Sequence, residues 1–300
     1  MNLPDFFIDM LKKQYDENTI KSILNGYSVN RFVTVRVNTL KTTVNEILEN
    51  FKQSGIDYDS VKWSNTALII KNINEKYLEE LNLYKEGKIY LQSLSSMLPP
   101  IILNPQEHTD ILDMAAAPGG KTTQIAALTN NHSRITACEM NHIRAERLKY
   151  NINKQGASCV YIMQTDSRKI DDFFSFDQIL LDAPCSGSGT LKQKDENLYN
   201  TFTKKLIDKS ISSQTQLLKK ALKILKPGHE MVYSTCSILS CENEDILSQT
   251  LKETNAQIVS IKLEGIENIP LLPTKIPGTL CICPNELYEG FFVAKIRKNM

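Results

Sequence analysis

The chain has 300 residues, of which 41% are hydrophobic and 23% charged, and a formal net charge of +1. That length suits one large domain or two smaller ones, and the composition is that of a globular protein rather than a disordered one. The near-zero charge balance excludes a dedicated, strongly basic duplex binder, so any nucleic-acid contact has to use a local patch.

The start, Met1-Asn2-Leu3-Pro4-Asp5-Phe6, has no charged head followed by a long apolar run, and no stretch is long enough to span a bilayer. Seven scattered cysteines, an odd number, predict reduced thiols in the cytoplasm and no membrane partner. Residues 1 to about 30 read as short helices. Arg31 to Asn38 alternates, with Phe32, Thr34 and Arg36 on one side and Val33, Val35 and Val37 on the other, which predicts a half-buried strand. Thr43 to Ser54 carries Val44, Ile47, Leu48 and Phe51 at helical spacing, and Gly55 follows as a stop. Strands over 67–70 and 88–91 and a helix over 75–83 complete a small α+β unit, a module over 1–104 that precedes a larger domain over 105–300.

From Thr109 the rhythm becomes strand, turn, helix, repeated. The expected strands are 109–113, 134–138, 158–163, 177–181, 230–234 and about 290–296. The expected helices are 119–128, 141–153, 205–225 and 241–253. Ala145, Leu148 and Ile152 share a face of the second helix, and Leu218, Ala221, Leu222 and Leu225 share one on the third, which Pro227-Gly228 closes. Ser240 is the expected N-cap of the last, with Glu242, Glu244 and Asp245 in its first turn. The alternation predicts an α/β fold, a mostly parallel sheet covered on both faces. Lys192 to Lys209 is polar at its start and is expected to be mobile.

Ala115-Ala116-Ala117-Pro118-Gly119-Gly120-Lys121 follows the first of these strands and opens a helix. Glycines there let a ligand approach the backbone, and the helix N-terminus offers free N–H groups. The glycine spacing is neither that of a phosphate P-loop nor GxGxxG. Glu139 ends the next strand about 20 residues past the glycines, the distance at which nucleotide sites place an acid on the ribose hydroxyls. Asp166 ends the third strand, placed to accept from an adenine amino group. Asp113 and Asp182 end the first and fourth. One such acid reads as a solvated strand end, but four at successive tips read as a site. Arg144 either steadies the ribose edge or covers the helix surface.

Two cysteine turns stand out, Asp182-Ala183-Pro184-Cys185-Ser186-Gly187-Ser188-Gly189 and Ser234-Thr235-Cys236-Ser237. Each follows an apolar strand, so in an open parallel sheet both thiols stand at the rim of one crevice. Carbon 5 of a pyrimidine is a poor nucleophile. A thiolate added at carbon 6 turns the ring into an enamine whose carbon 5 can attack an electrophilic methyl. A second group then takes the carbon 5 proton so that the first thiol leaves, and a carboxylate near ring nitrogen 3 stabilises the adduct, a position that suits Asp182. Cys138, Cys159, Cys281 and Cys283 read as small packing residues. The single residue between the last two and the dispersed histidines are not zinc spacing, so no metal is expected.

LDMAAAPGGKT, LLDAPCSGSGT, KPGHEMVYSTCS, CENE and GFFVAKIRK resemble the RsmB/NOP2/Sun family of RNA cytosine-5 methyltransferases, in its compact archaeal-tRNA-enzyme-like form. The resemblance runs from about Gln92 to Lys298, and Thr34 to Leu40 is similar to the family's N-terminal RNA-binding module. It implies a class I methyltransferase, Rossmann-like, with a seven-stranded, mostly parallel sheet whose last strand is antiparallel. By the same likeness residues 115–121 with Glu139, Asp166 and Asp182, and Arg144 beside them, hold S-adenosyl-L-methionine. Cys236 is then the nucleophile, and Cys185 assists release as base or by displacing the first thiol. Two features depart from the family pattern: Leu191 to Asn197 stands where a basic, proline-containing segment is usual, and His229 replaces a common glycine.

A base inside a helix cannot reach such thiols, so the RNA target is flipped or unpaired. Candidate phosphate donors are Arg31, Arg36, Lys41, Lys192, Lys194, Lys204 and Lys205. With no appended C-terminal module in view, the reading leans to a monomeric tRNA enzyme over an rRNA one. Two other readings stand beside it. One is a non-catalytic RNA-binding or ribosome-assembly factor that has kept the fold. The other is a DNA cytosine-5 methyltransferase, which attacks with the cysteine of its Pro-Cys motif; the Thr-Cys motif and the N-terminal module favour RNA.

Overall fold

A computed structural model describes residues 3–192 and 198–300 of the chain. It opens with two helices, α1 (Asp5–Gln14) and α2 (Glu17–Ser28). Asp16 caps α2 by accepting from the Thr19 backbone N–H at 2.9 Å. The small unit follows: β1 (Val33–Val37), α3 (Val44–Gln53), β2 (Tyr58–Val61), β3 (Ser64–Ile70), α4 (Glu75–Glu80), α5 (Asn82–Lys85) and β4 (Ile89–Leu91). Its four strands form an antiparallel sheet in the order β2-β3-β1-β4. A reciprocal pair of bonds between Thr43 and Glu46 starts α3, which lays Ile47 and Phe51 against Val35, Val37, Leu68 and Ile70.

The larger unit runs α6 (Leu94–Leu103), β5 (Asp110–Asp113), α7 (Gly120–Leu128), β6 (Arg134–Cys138), α8 (His142–Gln155), β7 (Val160–Met163), β8 (Phe176–Asp182), α9 (Leu198–Thr201), α10 (Lys204–Ile224) and β9 (Leu225–Thr235). It closes with α11 (Glu244–Lys252), β10 (Ala256–Val259), β11 (Leu271–Leu272), β12 (Leu280–Ile282) and β13 (Phe291–Lys298). Strands β7-β6-β5-β8-β9 are parallel, and β13 joins β9 antiparallel. The far edge of β13 carries β12 at its start and β10 at its end. The expected seven strands are present, and β11 and β12 extend the same sheet to nine. Helices α1 and α2 pack into the core of this unit through Phe7, Leu11, Ile23 and Tyr27, with the Phe7 and Phe202 rings edge to face at 5.1 Å. Among the described residues no helix is long and apolar enough to cross a membrane.

Several expectations are corrected. Strand β1 is buried on both faces: Arg36 is only 1% exposed, because the larger unit covers the side that the alternation pointed to solvent. Its guanidinium donates to Gln92 Oε1 at 2.8 Å, to the Gly120 carbonyl at 2.6 Å and to Thr123 Oγ1 at 2.9 Å, so Arg36 is not a phosphate donor. The helix expected over 75–83 breaks at Leu81, whose backbone is extended. Pro227-Gly228 does not close α10 in a loop; β9 begins at Leu225 directly after the helix and takes the pair in. Ser240 is not an N-cap: a short 3₁₀ turn spans Ser240–Glu242 before α11, and Glu242 is fully buried rather than exposed in a first turn. Residues 193–197 of the polar stretch after Leu191, with Lys194, lie outside the described residues.

Candidate active site

Four parallel strands end in acids, and each acid has a different task. Asp113, at the tip of β5, is 1% exposed and accepts from Thr122 Oγ1 at 2.7 Å and from the Ala115 N–H at 3.3 Å. Burial pushes its carboxyl up to about 6 against those two bonds. It braces the glycine turn from beneath. Gly119 sits at φ +111°, a conformation that favours glycine, and starts α7. After β6, Glu139 accepts from the Asn141 N–H at 2.8 Å and lies 3.5 Å from Arg144, which also donates to the Ala117 carbonyl at 3.0 Å. After β7, Asp166 pairs with Arg168 at 2.7 Å, which holds its carboxyl below the usual aspartate range. At the end of β8, Asp182 takes the Lys121 ammonium on Oδ2 at 2.6 Å and the Ser234 hydroxyl on Oδ1 at 2.8 Å.

A cavity of about 330 Å³ runs past these tips. Ala115, Ala117, Glu139, Arg144, Asp166 and Asp182 line it, and so do Pro184, Cys185 and Cys236. Three of the four acids read from sequence, Glu139, Asp166 and Asp182, therefore share one space with both thiols, while Asp113 is buried behind it. Ala116, Pro118, Gly119 and Gly120 are not among its walls; they shape the turn behind it. Lys121 points elsewhere than expected. Its ammonium reaches Asp182 and Ser96 Oγ, the latter at 2.7 Å. Burial pulls this lysine down, but the Asp182 charge and hydrogen bond outweigh it and hold the group above the ordinary range.

Cys185 Sγ lies 3.1 Å from Cys236 Sγ, and both residues are half-buried. The hydrogen bond to Cys236, followed by burial, pushes the Cys185 thiol well up, so Cys185 keeps its proton. Backbone contacts fix the two loops. The Gly189 N–H donates to the Cys236 carbonyl at 2.9 Å, and the Gly290 N–H donates to the Gly189 carbonyl at 2.8 Å. A Cβ on Gly189 would stand 1.9 Å from the Gly290 oxygen, so only glycine fits there. From α2, the Tyr27 hydroxyl donates to the Ser188 carbonyl at 2.5 Å.

Sequence reasoning missed Ser234 and Arg168, the direction of Lys121 and the inward turn of Glu242. Glu242 had a signal in the CENE string, and Ser234 in the Ser-Thr-Cys-Ser turn. Of the candidate RNA donors, Lys192, Lys204 and Lys205 are exposed, Lys41 donates to the Glu86 carbonyl, and Arg31 is half-buried with its Nε 3.4 Å from the Tyr288 carbonyl. Arg31 and Lys192 line a larger cavity of about 740 Å³ between the two units, with Phe32, Tyr84 and Tyr90. Cys138, Cys281 and Cys283 are buried free thiols, and Cys159 is half-buried. No group of three or more His, Cys, Asp or Glu able to hold a metal occurs among the described residues.

Comparison with known proteins matches residues 100–297 to the 16S rRNA methyltransferase RsmB/F family model and residues 3–75 to a RsmF/B-like ferredoxin-like domain. The chain is 38% identical over 275 residues to ribosomal RNA small subunit methyltransferase F of Vibrio campbellii, covering 88% of this chain and 56% of that one. It is 33% identical over 307 residues to 28S rRNA (cytosine-C(5))-methyltransferase of Mus musculus, covering 98% and 38%. The chain thus spans less than two thirds of the length of these curated relatives. Among solved structures, a methyltransferase homolog protein from Pyrococcus horikoshii superposes with a TM-score of 0.77 at 28% identity, covering 99% of this chain and all of that one.

Proposed function

The chain belongs to the RsmB/NOP2/Sun methyltransferase family, and on that premise we propose that it transfers a methyl group from S-adenosyl-L-methionine to carbon 5 of a cytosine in RNA, in the cytoplasm. The observation that carries this reading is the 3.1 Å approach of two thiols in the cavity that Asp182 also lines. A folded scaffold that only bound RNA would need neither thiol.

The cavity fits the cofactor. Its volume is at the lower end of small-molecule sites, and alanines leave the space open. Glu139, 4% exposed, and Asp166 present acceptors for hydroxyl and amino groups. Glu139, Arg144, Asp166, Ala115 and Ala117 would hold S-adenosylmethionine, which when bound supplies the electrophilic methyl.

Cys236 supplies the thiolate that bonds to carbon 6 of the ring. The electron pair freed onto carbon 5 makes that atom the nucleophile. Asp182, paired with the Lys121 ammonium, accepts from the exocyclic amino group beside ring nitrogen 3 and steadies the adduct. Cys185, still protonated while Cys236 is the thiolate, is one sulfur away. After methylation Cys185 first gives its own proton to solvent. As a thiolate it then assists release, either by taking the carbon 5 proton, whose bonding pair re-forms the carbon 5–carbon 6 double bond as the Cys236–carbon 6 bond breaks and Cys236 leaves as thiolate, or by displacing the first thiol. Exposed Lys192, Lys204 and Lys205, with Arg31 in the cleft between the units, supply phosphate contacts.

The names of the relatives favour rRNA, and tRNA is the alternative read from the sequence. Incubation with tritiated S-adenosylmethionine and, separately, rRNA, tRNA and duplex DNA tests both. The expected outcome is label at carbon 5 of cytosine in one RNA class. Label in duplex DNA alone, or in no nucleic acid, overturns the reading.

A further inference from the structure

The 3₁₀ turn before α11 carries a carboxylate in an unusual place. Glu242 is 0% exposed, and a buried carboxylate is costly unless its neighbours are arranged for it. Its Oε1 accepts from the Ser186 N–H at 2.7 Å. Its Oε2 accepts from the Ser186 hydroxyl and the Ser237 hydroxyl, both at 2.6 Å. Ser186 follows Cys185 and Ser237 follows Cys236. One side chain therefore ties together the residues next to each thiol.

The surroundings show that this is a built arrangement. Ser237 Oγ also lies 2.8 Å from Ser188 Oγ and accepts from the Leu239 N–H. The Tyr233 hydroxyl donates to the Glu242 carbonyl at 2.7 Å, and Thr235 Oγ1 donates to Asn243 Oδ1 at 2.6 Å. Alternate residues at the end of β9 are thus pinned to 242 and 243. Glu242 does not serve its own helix: α11 starts at Glu244, and no side-chain cap closes its N-terminus. A carboxylate aimed at two loops, and away from the helix it precedes, has a task in those loops.

We propose that Glu242 is a positioning residue that sets the separation of Cys185 and Cys236 and so times release of the methylated base. Its effect on turnover rests on the methyltransferase reading above; its effect on thiol geometry does not. The negative charge also lies close enough to Cys185 to disfavour a thiolate there.

The test uses the whole chain and two readouts. Diamide takes two electrons and two protons from a thiol pair and closes it into a disulfide, which peptide mapping locates; neither RNA nor cofactor is involved. Glu242→Gln keeps the size of the side chain and removes its charge and one acceptor oxygen. The expected result is Cys185–Cys236 closure slowed about tenfold, the scale of a displacement well under 1 Å in a reacting pair. In turnover, the ratio of denaturation-resistant protein–RNA adduct to methylated product rises by about the same factor. A variant that had only lost stability would lower adduct and product together. If Glu242→Gln does not fold, Ser186→Ala and Ser237→Ala carry the test, each unhooking one end, with smaller slowing in the same direction. Closure at the wild-type rate in a folded Glu242→Gln, or in both serine variants, overturns the proposal. Slowed closure with no adduct or product in any variant, wild type included, supports the brace and refutes the methyltransferase reading.

Discussion

Lys121 Nζ stands 2.6 Å from Asp182 Oδ2, which joins the glycine turn after β5 to the acid at the tip of β8. The pair is largely shielded, with side-chain exposures of 14% and 26%. A lysine here gives Asp182 a counter-charge and fixes its orientation. Lys121→Met removes that charge at similar length. Turnover is expected to fall about 100-fold, the usual scale for losing one preorganised electrostatic partner. Initial rates of label transfer on matched folded fractions check this. A loss of less than about threefold would mean that Asp182 does not need its partner, since that is under 1 kcal/mol.

The thiol roles separate by variant. Cys236→Ala is expected to abolish turnover and form no adduct, whereas Cys185→Ala forms an adduct that survives denaturation and runs slowly on a denaturing gel. The gel distinguishes the two assignments, because an adduct in Cys236→Ala and none in Cys185→Ala reverses them.

Asp113 predicts a pH effect on stability. Its carboxyl titrates at about 6 in the fold against an ordinary 3.8. The folded state therefore holds this proton more tightly than the open chain does. The stability it contributes is fully present below its ordinary value and is lost as pH rises through about 6, a change of about 3 kcal/mol at most. Asp113→Asn stays neutral throughout, so urea midpoints of the two proteins should diverge on raising the pH from 4 to 7, with the variant losing less. Glu242 and Glu244 are also raised by burial and leave the variant some residual slope. Parallel curves would count against a buried, neutral Asp113.

Gly189→Ala places a methyl group where the Gly290 backbone stands. Overpacking of this kind costs about 1–3 kcal/mol, and here it falls on the loop that follows Cys185. A lowered urea midpoint together with slower diamide closure of Cys185 to Cys236 is expected. An unchanged midpoint would mean that the two backbones separate freely.

Much of the larger unit was legible because its signals are local. Apolar strands that break into small residues are written in six to ten consecutive positions, and they located the acid tips and both thiols. What failed were statements about what covers a surface. Arg36 alternates with valines as a solvent-facing residue does, yet the larger unit lies over that side, a fact held in Gln92, Gly120 and Thr123 rather than near Arg36. Glu242 reads as an acid in a helix's first turn because only local order is visible; its partners Ser186 and Ser237 are brought to it by the crossover of β8 to β9. Helix α6 was missed because Pro99-Pro100 argues against a helix, and β10, β11 and β12 because each is only two to four residues long. Lys121 was assigned to the cofactor because of its neighbours in sequence, whereas its long side chain carries the charge to a different strand.

The meeting of Gly189 with Gly290 has an implication for engineering. The stretch that leads into β13 serves as the mould in which the Cys185 loop is cast, although it contributes no reactive group. Transplanting the reactive cysteines onto another sheet would have to bring residues 284–291 as well, and a tag or insertion there should be as harmful as one beside the sulfurs themselves.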